Sequence, residues 1–169
     1  MEFSGWEEQL GFKEKVIDLA QNTLDSSDIM ERDYSGKLSW ENRKRCADFA
    51  IQGMCMPEEY SGSPALNIMT AVLGMEAVGY GCKDNGLTLA LNAQMWTVQI
   101  LLSQFGSPEQ KQKYLPKLCN GEWIGVHALS EPDSGSDVYS LKTSATKCEG
   151  GYILNGRKKF VTCAPICNM

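Results

Sequence analysis

The chain has a single histidine, His127, and its seven cysteines (46, 55, 82, 119, 148, 163 and 167) include no Cys-x-x-Cys pair. With one imidazole and no paired thiols, a zinc site is not expected. The amino terminus is acidic (Glu2, Glu7, Glu8) and lacks an apolar core, so it reads as neither a signal nor a transit peptide. A disulfide framework is therefore not expected either, and free thiols in a reducing cytoplasmic setting is the reading that follows. No apolar run approaches the roughly 18 residues needed to enter and cross a membrane. Lys and Arg number 16 against 21 Asp and Glu, a net charge of −5, which argues against nucleic acid as a partner. No repeat or low-complexity segment occurs. What is present is ordinary: 43% apolar and 22% charged residues over 169 positions, enough to bury a core in one domain or two small ones.

Hydrophobic spacing divides the chain. Leu10, Val16, Ile17, Ala20 and Leu24 recur at helical intervals between Trp6 and Leu24. A looser segment, 25–38, leads to Ser39 as the N-cap of a helix carrying Trp40, Arg43, Ala47 and Ala50 and stopping near Gly53. Ser63-Pro64 reads as a helix start, followed by Leu66, Met69, Leu73, Met75 and Val78 and closed by Gly79 and Gly81. Asp84 opens a stretch to Phe105 that is apolar on nearly all sides, as a central buried helix would be. Ser107 and Gln110 have the spacing of a capping box, and Asn120-Gly121 ends the helix they begin. Then the period changes. Residues 123–130, 141–147, 152–154 and 158–162 read as strands, with Glu149-Gly150-Gly151 and Asn155-Gly156 as hairpin turns. The expected fold class is α+β: a helical domain over 1–122, then the first antiparallel strands of a second domain over 123–169, with unpaired edges.

The densest chemistry lies in 127–137, His-Ala-Leu-Ser-Glu-Pro-Asp-Ser-Gly-Ser-Asp. Ser134, Gly135 and Ser136 offer N–H groups and two hydroxyls with little bulk, which lets the main chain approach an anion. A plain turn capped by Asp137 or Ser136 is the alternative. Farther on, Asn155-Gly156-Arg157-Lys158-Lys159-Phe160-Val161-Thr162 sets an aromatic and a hydroxyl two residues apart, on one face if the segment is a strand. Simple packing in a sheet is the alternative there. The Arg157-Lys158-Lys159 run reads as a solvated strand face. Glu76 lies in an apolar helix, where burial would raise its pKa, although a paired position at a helix edge is the commoner arrangement. His127 has no identifiable partner carboxylate or hydroxyl and is read as packing rather than catalysis.

With Pro57-Glu58-Glu59-Tyr60-Ser61-Gly62 and Phe105-Gly106-Ser107-Pro108-Glu109-Gln110-Lys111, these runs resemble the acyl-CoA dehydrogenase family of flavoproteins. The motifs fall in the family's order from 57 to 162, and the resemblance covers essentially the whole chain. It implies a helical domain followed by a β-barrel-like domain, FAD as cofactor, and α,β-dehydrogenation of an acyl thioester linked to CoA or a carrier protein, as in fatty acid metabolism. Matched by position, Leu129 and Ser130 would meet the flavin ring with their main chain. Gly135 and Ser136 would lie near its pyrophosphate, Ser136 also near the acyl ligand. Phe160, where the family more often has Trp, would stack on the ring, and Thr162 would bond near its hydride-accepting nitrogen.

Members of the family are more than twice as long, and their catalytic base lies beyond the matched region, so no catalytic residue is assigned here. The chain is expected to act with a carboxyl-terminal half or complementary subunit, in a homo- or hetero-oligomer, passing electrons to an acceptor flavoprotein. The rival expectations are a non-catalytic subunit or binding module paired with another flavoprotein chain, and a flavin oxidase or monooxygenase of the same fold.

Overall fold

The structure, a computed structural model, describes residues 7–24, 26–63 and 68–169. Its first part is helical: α1 (Glu7–Asn22), α2 (Ile29–Ser35), α3 (Trp40–Asp48), α4 (Ile68–Gly81), α5 (Asn85–Asn92), α6 (Ile100–Phe105) and α7 (Pro108–Cys119). A π-helical segment, Ala93–Gln99, joins α5 to α6. The core gathers Val16, Leu19 and Ala20 of α1, Ala71, Met75 and Val78 of α4, and Leu87 and Leu91 of α5 around Ile51 and Met54. Burial pushes the thiols of Cys46 and Cys119 up to about 12 and that of Cys55 to about 11, so these cysteines pack rather than react. All seven cysteines are free.

Polar side chains set the helix starts by accepting N–H groups that a first turn leaves unpaired. Ser39 Oγ accepts from Asn42 N–H at 3.2 Å, the Asp84 carboxylate accepts from Leu87 N–H at 2.9 Å, and Ser107 and Gln110 form the complete capping box. The expected start at Ser63-Pro64 runs into 64–67, outside the described residues, and α4 is described from Ile68. Helix α2 occupies the segment read as loose, because seven residues carry too little periodicity to register. Helix α3 ends at Asp48, before Gly53, since Ala50 turns through φ 63° into a 3-10 turn at Ile51–Gly53. The 85–105 rod buries Leu87, Leu91, Met95 and Val98 but exposes Leu89, Leu101 and Phe105, so it is not buried on all sides. Glu76 is exposed and paired with Lys13 at 2.8 Å, which places it at a helix edge.

The β part is sparser than its sequence period suggests. Strands β1 (Ser144–Cys148) and β2 (Gly151–Asn155) pair antiparallel from Ser144↔Asn155 to Cys148↔Gly151, and Gly150 makes the turn at φ 79°. Residues 123–130 and 158–162 form no strand, because a strand needs a continuing ladder. The first is held by Val126 N–H to the Met169 carbonyl at 2.9 Å and by Asn168 N–H to the Ile124 carbonyl at 2.8 Å. In the second, φ 57° at Phe160 interrupts the extended backbone. Asn155-Gly156 is no hairpin: Gly156 passes so close to Thr143 that a Cβ there would lie 2.2 Å from its Oγ1. Both faces of the β1–β2 hairpin are exposed, including Tyr152, Ile153 and Leu154.

The 57–62 motif has a packing explanation. Gly62 N–H donates to the Pro57 carbonyl at 3.0 Å, and Ser63 N–H donates to the Gly53 carbonyl at 3.1 Å, closing the loop on itself. A Cβ at Gly62 would stand 1.8 Å from the Met56 carbonyl oxygen, whereas one at Gly135 meets nothing within 4 Å. Gly62→Ala is expected to destabilise the protein by about 1–3 kcal/mol or more through backbone displacement. Gly135→Ala is expected to stay within about 0.5 kcal/mol. Denaturant midpoints of the two variants check this, and equal effects would contradict it.

Candidate functional site

The two motif segments meet beside the 85–105 rod. Lys159 N–H donates to the Ser130 carbonyl at 2.9 Å, and Lys158 Nζ donates to the Leu129 carbonyl at 2.9 Å. The N–H groups of His127, Ala128, Leu129 and Ser130 donate to no acceptor among the described residues. Phe160 stands 86% exposed on its left-handed backbone, a conformation that a bulky residue adopts only under constraint. Free main-chain donors next to an open aromatic face suit a flat, polar, conjugated ring.

A cavity of about 170 Å³ opens at this junction, lined by Gln94 and Thr97 of the π segment and by Gly125, His127, Phe160 and Thr162. Widened π turns recur at functional sites because they re-aim side chains that a regular helix would bury. Here Thr97 turns its hydroxyl back to the Ala93 carbonyl at 2.6 Å, while Gln94 reaches across the seam. Gln94 Oε1 accepts from Arg43 Nη2 at 2.9 Å and from Gly125 N–H at 3.3 Å, and its Nε2 donates to the Leu118 carbonyl at 3.0 Å. A second cavity, about 500 Å³, shares Thr162 and Cys163 and extends to Arg32 and Asp84 at the start of α5. Asp84 is occupied there by Arg32 as well as by its capping role.

His127, Phe160 and Thr162 thus share one cavity, with Leu129 and Ser130 tied to the same junction. Gly135 and Ser136 are exposed and line neither cavity. The 134–140 loop is held by Ser134 Oγ, which donates to the Asp137 carbonyl, and by Asp137, whose carboxylate accepts from Tyr139 N–H at 3.2 Å. Asp137 is therefore a cap, while the open space above Gly135 leaves that loop accessible.

Sequence reasoning passed over Glu131. It is 3% exposed and organises the site: its carboxylate accepts from Lys158 Nζ at 2.8 Å, Thr143 N–H at 2.9 Å and Lys142 N–H at 2.6 Å. Its own N–H donates to the Ser134 carbonyl at 2.7 Å. Lys158 is thereby a buried-end partner and not part of a solvated strand face. The available signal was an acid between Ser130 and Pro132 where an apolar stretch turns, with lysines at 142 and 158 to pair it.

An exposed aromatic, free main-chain donors and a small cavity meet where the helical part gives way to the extended segments. Comparison with known proteins identifies the family. The acyl-CoA dehydrogenase N-terminal domain matches residues 6–122 and the acyl-CoA dehydrogenase middle domain matches 127–169. The chain belongs to the acyl-CoA dehydrogenase family. It is 38% identical over 169 residues to an L-prolyl-[peptidyl-carrier protein] dehydrogenase of Serratia sp. (strain ATCC 39006), covering 100% of this chain and 43% of that protein. It is also 38% identical over 161 residues to a mitochondrial isovaleryl-CoA dehydrogenase of Oryza sativa subsp. japonica, covering 91% and 37%. Among solved structures it is similar to the prolyl acyl carrier protein oxidase AnaB, with TM-score 0.90, 43% identity and coverage of 97% and 43%. It is similar too to PigA with FAD and proline, with TM-score 0.90, 38% identity and coverage of 99% and 43%. The chain spans less than half the length of these relatives.

The Glu131 carboxyl is held down to about 2 from an ordinary 4.5, first by the Lys158 ammonium, then by Thr143 and the Lys142 N–H. A folded pKa below the unfolded one stabilises above the unfolded value, and that stability is lost as pH falls through the folded value. Hydrogen-exchange protection of the Lys142 and Thr143 amides should therefore be full above pH 4.5 and disappear towards about pH 2. Glu131→Gln should lower it throughout. Protection that ignores both pH and the substitution would remove Glu131 from this role.

Proposed function

We propose that residues 1–122 and 123–169 are the helical domain and the start of the β domain of an FAD-dependent oxidoreductase that removes α and β hydrogens from a carrier-bound acyl thioester. The observation that carries this reading is the junction itself: unpaired N–H groups at Leu129 and Ser130, locked by Lys158 and Lys159 against an exposed Phe160. A compact acyl group such as a prolyl ring, rather than a long alkyl chain, is the substrate we put forward. Similarity to the prolyl carrier-protein enzymes supports the same choice.

FAD, when bound, supplies the two-electron acceptor for the β-hydrogen. Leu129 and Ser130 would hold the ring through main-chain donors, adding no charge of their own. Phe160 would cover its face and keep water away. Thr162 would direct its hydroxyl at the ring edge, and the Gly135-Ser136 loop would bring a hydroxyl and close main chain to the pyrophosphate or the acyl ligand. The α-proton requires a base. The family resemblance would put that base beyond the matched residues, in the same chain or a complementary subunit. An acceptor flavoprotein would take the electrons in a dehydrogenase. The similarity to AnaB favours one further reading, in which dioxygen takes them.

The test is anaerobic mixing of the FAD-loaded complete gene product with prolyl-carrier protein and, separately, with isovaleryl-CoA. Flavin bleaching by the prolyl carrier and not by the CoA ester is expected, and reoxidation by air then separates oxidase from dehydrogenase. Thr162→Val should slow bleaching about tenfold, the weight of one hydrogen bond of about 1.4 kcal/mol, with acyl binding nearly unchanged. Absence of bleaching with either thioester would overturn the reading.

A further inference from the structure

Arg43 is 3% exposed, and no carboxylate forms an ion pair with it among the described residues. Its guanidinium donates to neutral groups only: Nη1 to the Gly121 carbonyl, Nη2 to the Trp123 carbonyl at 2.8 Å and to Gln94 Oε1 at 2.9 Å. Trp40 approaches it from one side, with its ring centroid 6.0 Å away. A buried cation without a counter-charge is unusual, since burial strongly favours pairing. Bracing the seam would be served by a neutral donor. The end of α7 offsets the full charge only in part, and the remainder calls for a separate account.

Its position supplies one. Gln94, bonded directly to the guanidinium, lines the 170 Å³ cavity with Phe160, Thr162 and Cys163. Arg43 and Cys163 lie within electrostatic range of each other. In a poorly solvated interior an unneutralised charge acts over several ångströms, far more strongly than it would in water. A flavin that accepts a hydride gains negative charge, and a fixed cation behind the cavity wall favours that state without touching the ring. Resting on the functional reading above, we infer that Arg43 raises the electron affinity of a flavin bound at this junction, acting through Gln94 as a positioning and charge-setting residue.

The experiment is a redox titration of the FAD-loaded complete gene product, as wild type and as Arg43→Lys, Arg43→Met and Arg43→Gln. The neutral variants are expected to shift the reduced-to-oxidised ratio about tenfold towards oxidised flavin, which is about 30 mV lower for a two-electron couple. Arg43→Lys keeps the charge and should stay close to wild type. Arg43→Gln retains donors for the seam carbonyls and serves if Arg43→Met does not fold. Neutral variants that bind FAD at the wild-type potential would reduce Arg43 to a brace and overturn the inference alone. A wild-type protein that takes up no FAD would instead overturn the functional reading on which it rests.

Discussion

A guanidinium buried away from carboxylates must be surrounded by carbonyl groups, and that requirement joins the two parts of this molecule. Arg43 projects from α3 and bonds to main-chain oxygens at Gly121 and Trp123, just where α7 ends and the extended segment begins. The C-terminal end of a helix carries excess negative potential, so the end of α7 is a favourable place for a cation. Gln94 completes the arrangement by bridging Arg43, Gly125 and Leu118 from the π segment. Arg43 and Gln94, with the Trp123 N–H bond to the Lys117 carbonyl, thus hold the 123–126 segment against the helices.

A second buried charge organises the other side of the junction. Glu131 gathers Lys158, Lys142 and Thr143 and holds the turn between the serine-rich loop and the start of the hairpin. Because Lys158 reaches both Glu131 and the Leu129 carbonyl, the segment bearing Phe160 and Thr162 cannot drift from the segment bearing Leu129 and Ser130. The cavity between them is held by polar contacts on one side and by the hydrophobic rod on the other. This explains why an aromatic ring remains exposed here: its neighbours are fixed by bonds that do not depend on covering it.

Much of the helical part was legible because its signals are local. Ser39, Asp84 and Ser107 each accept the N–H that their sequence context predicts, and the α+β change of period falls at the seam. The π segment was not legible, since Ala93–Gln99 keeps the apolar rhythm of its flanking helices. The β part was over-read. Alternation in 123–130 and 158–162 specifies an extended backbone, but pairing depends on a neighbouring strand that no local pattern supplies. Phe160, Thr162, Leu129 and Ser130, singled out through motif order, meet at one junction. Glu131 and Arg43 were missed because each acts through partners far along the chain, Lys158 in one case and Gln94 in the other, and a long-range pair leaves no periodic trace.

The central claim is that a flavin ring sits at the seam between the rod and the 127–130 segment. A crystal structure of the complete gene product with FAD bound tests it most directly. The account predicts the ring within hydrogen-bond distance of the Leu129 or Ser130 N–H, covered by Phe160, with Thr162 at its edge. A ring bound elsewhere, with those N–H groups facing water and Phe160 still uncovered, would contradict it.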